Sequence, residues 1–215
     1  MIQLVEEGTM IGRLRINSNE FMKNSMTMFY HQFYTGYKKP DNPNFLNLLK
    51  NTFNGESSRN LNEARNEVTR ILTENIPEIM EERNVTECVL VCVPRAKSLK
   101  TYSNSQLMFK NGVKLAAENI KGAIDGTDFI KRTIDTCTTH LRFATQFSNN
   151  GDLPYPGITI ATCEINQAKI VNQTVILIDD IYTRNVNIDE DCIQALLDNG
   201  AKKVIFYAVG YTRRD

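Results

Sequence analysis

The sequence predicts an α/β fold, a mostly parallel sheet flanked by helices, and three observations carry this. "VLVCV" at 89–93 and "VILI" at 175–178 are short, β-branched apolar runs of the kind buried on both faces of a parallel sheet. Each is followed by a polar loop and then by an amphipathic helix, the unit from which parallel sheets are built. A further strand, "KVIFYAV" at 203–209, comes in behind the second helix. With 215 residues and 41% hydrophobic content, the chain can form one large domain, or a domain with an appendage. It divides into an N-terminal extension, 1–60, and a domain, 61–215.

Residues 1–35 hold five of the seven methionines, interleaved with Phe21, Phe29, Tyr30, Phe33 and Tyr34, and no clean period emerges. Mixed Met and aromatic residues fill irregular gaps, so the stretch reads as a core-covering, hood-like extension. It is also where a homodimer or partner-protein contact is placed. Gly36, Pro40 and Pro43 mark a loop over 35–44, followed by a short helix, "FLNLLKNTF". Leu61, Ala64, Val68, Ile71 and Leu72 recur at steps of three and four, which predicts a helix over 59–83 that Pro77 breaks or restarts. "ECVLVCVP" at 87–94 is a buried strand, "RAKSLKTYSNSQ" a polar loop, and Phe109, Val113, Ala116 and Ile120 one helix face. Residues 128–142 open as a strand, and "QFSNNGDLPYP" at 146–156 is a long loop of breakers. Strands at 158–165 and 174–179 precede a helix over 188–199 with Gly200 as its C-terminal cap. Asn187 is its expected N-cap, with Glu190 completing a capping box.

Twenty-five Lys plus Arg balance 25 Asp plus Glu, so no global basic field indicates a nucleic-acid partner. No apolar run reaches the length of a membrane span, and Glu6 and Glu7 stand where a signal peptide needs positive charge, which places the protein in the cytoplasm. The five cysteines form no CxxC pair, and most of them fall in apolar strand or helix patterns and read as small buried hydrophobes. His31 and His140 alone do not favour a histidine metal site or a Ser-His-Asp triad.

The chemistry concentrates in "VILIDDIYTRNVN", 175–187, where Asp179 and Asp180 end an apolar strand. Ligands of open parallel sheets bind outside the carboxyl ends of strands, and adjacent carboxylates there gain from hydroxyl donors or a cation. The following turn and helix start offer backbone N–H groups to an anion. A receiver domain, in which paired acids bind Mg²⁺, is excluded because only 35 residues follow Asp180. A dinucleotide fold is disfavoured by the lack of GxGxxG after any strand.

"VILIDDIYT" resembles the phosphoribosyl pyrophosphate signature of type I phosphoribosyltransferases, and the chain from about 85 to 212 is similar to their competence-associated, amidophosphoribosyltransferase-like branch, without its zinc ribbon. The resemblance implies a Rossmann-like type I phosphoribosyltransferase fold and a cytoplasmic enzyme of nucleotide metabolism. Mg²⁺-bound phosphoribosyl pyrophosphate would be the substrate. It implies Asp179 and Asp180 on the ribose hydroxyls, with Mg²⁺ held indirectly through ribose or water, and Thr183, Arg184, Asn185, Val186 and Asn187 around the 5-phosphate. "VCVPRAK" resembles the pyrophosphate loop, which implies Arg95, Ala96 and Lys97 in substrate binding; for Arg95, Lys97 and Lys100 a solvated loop is the competing reading. "SNSQ" resembles the branch's Asn-Gln pair, and "KRTIDT" its flexible loop, with Lys131, Arg132 and Arg142 as its basic residues. The family turn carries Gly where this chain has Asn185, and hydroxyls where it has Arg184 and Asn187. Two functions therefore stand side by side: phosphoribosyl transfer to a nitrogenous acceptor, or a catalytically altered protein that binds a nucleotide or ribose phosphate and regulates a partner.

Overall fold

A computed structural model describes residues 11–37, 39–138 and 161–213. The expected strand start at 158–160, the 146–156 loop, His140 and Arg142 lie outside the described residues. Eight strands are present among the described residues: β1 Gly12–Ile16, β2 Met26–Tyr34, β3 Cys88–Cys92, β4 Ala123–Asp125, β5 Ile130–Arg132, β6 Cys163–Ile165, β7 Thr174–Tyr182 and β8 Lys203–Thr212. The α-helices are α1 Asn44–Lys50, α2 Ser58–Glu82, α3 Met108–Asn119, α4 Gln167–Ile170 and α5 Ile188–Asp198. Six strands form one sheet in the order β1-β2-β8-β7-β3-β4, and β5 pairs with β6 in an antiparallel ribbon. Within the large sheet β1 alone runs antiparallel to its neighbour.

The result is an α/β, mostly parallel, Rossmann-like sheet with helices on both faces. One face buries Ile176, Ile178, Ile205 and Tyr207 against α1, α2 and α3; the other buries Val175, Leu177 and Phe206 against Ile193 and Leu196 of α5. Strand β3 leads through α3 to β4 on one side, and β7 leads through α5 to β8 on the other. The winding therefore reverses between β3 and β7. That switch point, at the carboxyl ends of the two strands, is where an open α/β sheet leaves a crevice for ligands.

Two sequence expectations change. Residues 12–34 contain a hairpin rather than an irregular cover, and β2 hydrogen-bonds alongside β8 from Phe29↔Tyr207 to Tyr34↔Thr212. Met28 and Phe29, adjacent in β2, are both buried because the sheet is covered on both faces, so the strand shows no period of two. Helix α2 runs through Pro77 without a break. A mid-helix proline costs about 3 kcal/mol, whereas each large side chain that α2 buries returns roughly 1.5–3 kcal/mol; Leu72, Ile76, Ile79 and Met80 flank the proline and are all buried. Burial outweighs the missing hydrogen bond. Gly200 does end α5, with φ +88 and with Ala201 N donating to Leu196 O across the turn.

Helix α2 starts at Ser57, whose Oγ accepts from Asn60 N at 3.2 Å. Ser57→Ala is expected to lower stability by about 1 kcal/mol. Urea denaturation of the two proteins measures it, and coincident curves would show that the cap contributes nothing.

Candidate functional site

The pairing of β3 with β7 ends at Cys92↔Ile178, and Val93 N donates the last hydrogen bond to Ile178 O at 3.0 Å. On the other side β7 continues beside β8 as far as Tyr182↔Tyr211. Asp179 and Asp180 thus lie within β7, which runs on to Tyr182 beyond the expected end at 179, and just past the point where β3 stops. The crevice of the switch point opens directly beside them. Successive strand residues point to opposite faces, so the two carboxylates diverge: Ile178 packs on the α1–α3 side, Asp179 hydrogen-bonds Asp189 in the first turn of α5, and Asp180 follows on the other pleat.

Asp179 is half-buried, and burial together with the charge of Asp180 pushes its carboxyl up to about 7. Asp189 is raised well above the ordinary carboxylate range, first by burial and then by the charge of Asp179. Both carboxyls therefore hold a proton more tightly than an ordinary aspartate does. The acids at the start of α5 are accordingly not solvated partners of a helix dipole: Asp189, Glu190 and Asp191 are all buried. Glu190 Oε1 accepts from Tyr182 Oη at 2.8 Å, while Glu190 Oε2 and Asp189 Oδ1 have no hydrogen-bond partner among the described residues. The expected capping box is absent for this reason. Glu190 is turned to the tyrosine, and Asn187 adopts a left-handed conformation (φ +65) with its Oδ1 accepting from Asn19 Nδ2.

The turn from β7 to α5 keeps a glycine-like shape without glycine. Asn185 has φ +66, a region open to Asn at low cost. Val186 N donates to Thr183 O at 3.3 Å, and the hydroxyls of Thr183 and Thr212 lie 2.6 Å apart, which ties the turn to the end of β8. Arg184 and Asn185 are exposed at the tip.

The basic residues after β3 have structural partners. Arg95 donates through Nη2 to Lys50 O at 2.6 Å and through Nη1 to Gln106 O, and its guanidinium lies 4.4 Å from the Tyr102 ring centre. Ala96 O accepts from both the backbone and the hydroxyl of Thr136, and Lys97 Nζ donates to Thr136 O at 2.7 Å. Arg132 is buried, with Nε donating to Arg95 O and Nη1 to Thr162 Oγ1, whereas its neighbour Lys131 is exposed on β5. The loop after β3 and the β5–β6 ribbon are thereby laced together. Gln106 of "SNSQ" closes a 3₁₀ turn with Ser103 and donates to Asn51 O and Thr52 O, linking the same loop to the segment after α1. Beneath the loop lies a cavity of about 50 Å³ bordered by Cys92, Pro94, Leu99, Phe109, Lys110 and Ile130. It has room for only a few water molecules.

The site thus unites Asp179, Asp180 and the 183–187 turn, while Arg95 and Arg132 brace its wall. Sequence reasoning missed Asp189 as a partner of Asp179 and Lys50 as the cation whose field lowers the Asp179 carboxyl. No local pattern marks Lys50, which is 129 residues away in the chain. Asp189 was visible only as an acid in a first helical turn. Among the described residues no group of three or more His, Cys, Asp or Glu is arranged to hold a metal ion, and no helix is long and apolar enough to cross a membrane. No protein-family model matches the chain, and no curated protein matches it.

Proposed function

We propose that the chain is a type I phosphoribosyltransferase-like protein that binds phosphoribosyl pyrophosphate at the β3–β7 switch point and transfers the phosphoribosyl group to a nitrogenous acceptor. The observation that carries this is the Asp179–Asp180 pair beside the crevice, followed at once by a turn whose Asn185 holds a left-handed conformation. The carboxylates suit the paired hydroxyls of a ribose, and the turn with the amide-rich start of α5 suits its 5-phosphate. The anomeric carbon would then face the loop after β3. There the bond to pyrophosphate breaks with its electron pair leaving on oxygen, and the acceptor nitrogen forms the new bond to carbon.

Asp179 and Asp180, with no third His, Cys, Asp or Glu grouped with them to hold a metal among the described residues, would leave Mg²⁺ most of its waters and the phosphates of its ligand. When bound it would neutralise charge on the pyrophosphate leaving group. Work by the chain itself is chiefly positioning: the lacing of 95–97 to 132–136 holds the crevice wall rigid before substrate arrives.

One observation favours the second function, a catalytically altered protein that binds a ribose phosphate and acts on a partner. The Arg95 guanidinium is already engaged by two backbone carbonyls and a tyrosine ring. Calorimetry with phosphoribosyl pyrophosphate and Mg²⁺ is expected to give saturable heat, and its absence would sink both readings. Release of pyrophosphate above a protein-free control across a panel of purine and pyrimidine bases separates them. Binding without release selects the regulator.

A further inference from the structure

Resting on that binding site, we infer that Asn19, from the loop between β1 and β2, is a ligand-binding residue that donates its side-chain amide to the 5-phosphate at the 183–187 turn. The loop lies along α5 and is held at both ends of the helix. At the far end Lys23 N donates to Gln194 Oε1 at 2.9 Å, and Lys23 Nζ pairs with Asp198 Oδ1, also at 2.9 Å. Met22, between the two contacts, is buried in the core cluster that contains Cys192, Ile193 and Leu196 of α5. At the near end Asn19 Nδ2 donates to Asn187 Oδ1 at 3.1 Å, on the residue just before α5 begins. Direct contact with the last residue of the turn thus places Asn19 at the turn itself.

The amide is oriented before any ligand arrives. Its Oδ1 accepts from Phe21 N at 2.9 Å and from Met22 N at 3.0 Å, and Asn19 N donates to Met22 O at 3.0 Å. Those two N–H groups fix which end of the amide is oxygen, so Nδ2 faces the turn. One Nδ2 hydrogen goes to Asn187; Asn19 is exposed, and the second hydrogen has no acceptor among the described residues. The turn itself has few side-chain donors to spare. The Thr183 hydroxyl is tied to Thr212 and the Asn187 oxygen to Asn19, which leaves Arg184 at the tip. Asp189, Glu190 and Asp191 are all buried, with Glu190 turned to Tyr182, so the outer surface here carries donors and not acids. The N-terminal hairpin therefore has a part in the site: it supplies a neutral, preset donor that the 183–187 segment lacks.

The test compares wild type, Asn19→Asp and Asn19→Ala by calorimetry with three probes: ribose 5-phosphate, phosphoribosyl pyrophosphate plus Mg²⁺, and inorganic pyrophosphate plus Mg²⁺. Asn19→Asp keeps the oxygen that Phe21 N and Met22 N bond, so the loop is retained, but it removes the donor. It is expected to weaken the first two probes by roughly tenfold or more, the scale of one charge-assisted hydrogen bond, and to leave pyrophosphate within about twofold. Asn19→Ala, which adds no charge, is expected to weaken the same two probes and to spare the third. Pyrophosphate binding serves as the internal check that each variant is folded. If wild type binds and Asn19→Asp binds ribose 5-phosphate equally well, or loses pyrophosphate to the same degree, the assignment of Asn19 is overturned while the site itself stands. Loss in Asn19→Asp with none in Asn19→Ala overturns it too, because added charge and not a missing donor is then the cause. If wild type binds none of the probes, the functional reading fails and this inference fails with it.

Discussion

The double variant Asp179→Asn, Asp180→Asn is expected to lose at least a hundredfold in affinity for phosphoribosyl pyrophosphate while remaining folded. A carboxylate that accepts hydroxyl protons makes hydrogen bonds of about 1.5–3 kcal/mol, so each residue accounts for roughly ten- to a hundredfold. The single variants separate ligand binding from scaffold, because the two acids differ in surroundings. Asp180→Asn removes a half-exposed charge and should weaken binding with little change in stability. Asp179→Asn should weaken binding too, yet raise the melting temperature, since it removes a charge that presses on buried Asp189. Calorimetry and thermal denaturation on the same samples measure both. If neither single variant changes affinity by more than about twofold, the aspartates serve only the strand end.

How much of this was legible in the sequence follows from how local each signal is. Strands β3, β7 and β8 announced themselves as β-branched runs because a strand buried on both faces needs nothing but apolar residues. Strand β2 meets the same requirement with Met28, Phe29 and Tyr30, residues that equally suit a loop cover, and only its pairing with β8 distinguishes the two. The position of the aspartates at the carboxyl end of an apolar strand was legible, whereas the left-handed conformation of Asn185 appears only in the structure. What could not be read is how the basic residues of the loops are held. Arg95, Lys97 and Arg132 were the nearest cations in sequence to the expected loops, but carbonyl oxygens of Lys50, Gln106, Thr136 and Arg95 itself claim their donors. Such claims are made by backbone brought in from distant segments, and no motif encodes them.

Asp189→Asn is expected to stabilise the fold by about 1–2 kcal/mol at pH 8 and by much less at pH 5. The sign follows from proton linkage. The folded-state carboxyl of Asp179, pushed up to about 7 by burial and by Asp180, binds a proton more tightly than in the unfolded chain. Its contribution is therefore fully present below the unfolded value near 4 and is lost as pH rises through about 7. Above that pH the wild-type protein holds the Asp179 charge against the buried carboxyl of Asp189, which has an oxygen with no partner among the described residues. An amide at 189 keeps a donor for Asp179 but carries no charge, so the hydrogen bond survives and the repulsion goes. Urea denaturation at the two pH values gives the result directly. An equal gain at both would mean that packing, not charge, is what the substitution changes. A loss at pH 8 would mean that the field of Lys50 outweighs the repulsion between the two acids. The same variant should leave Tyr182 on Glu190 undisturbed, because that 2.8 Å bond uses the neighbouring acid. The strand end that presents Asp179 and Asp180 thus keeps its shape while one acid is removed on the α5 side, which makes Asp189→Asn the cleanest way to ask whether a ligand of the proposed site tolerates, or requires, a protonated partner behind the two aspartates.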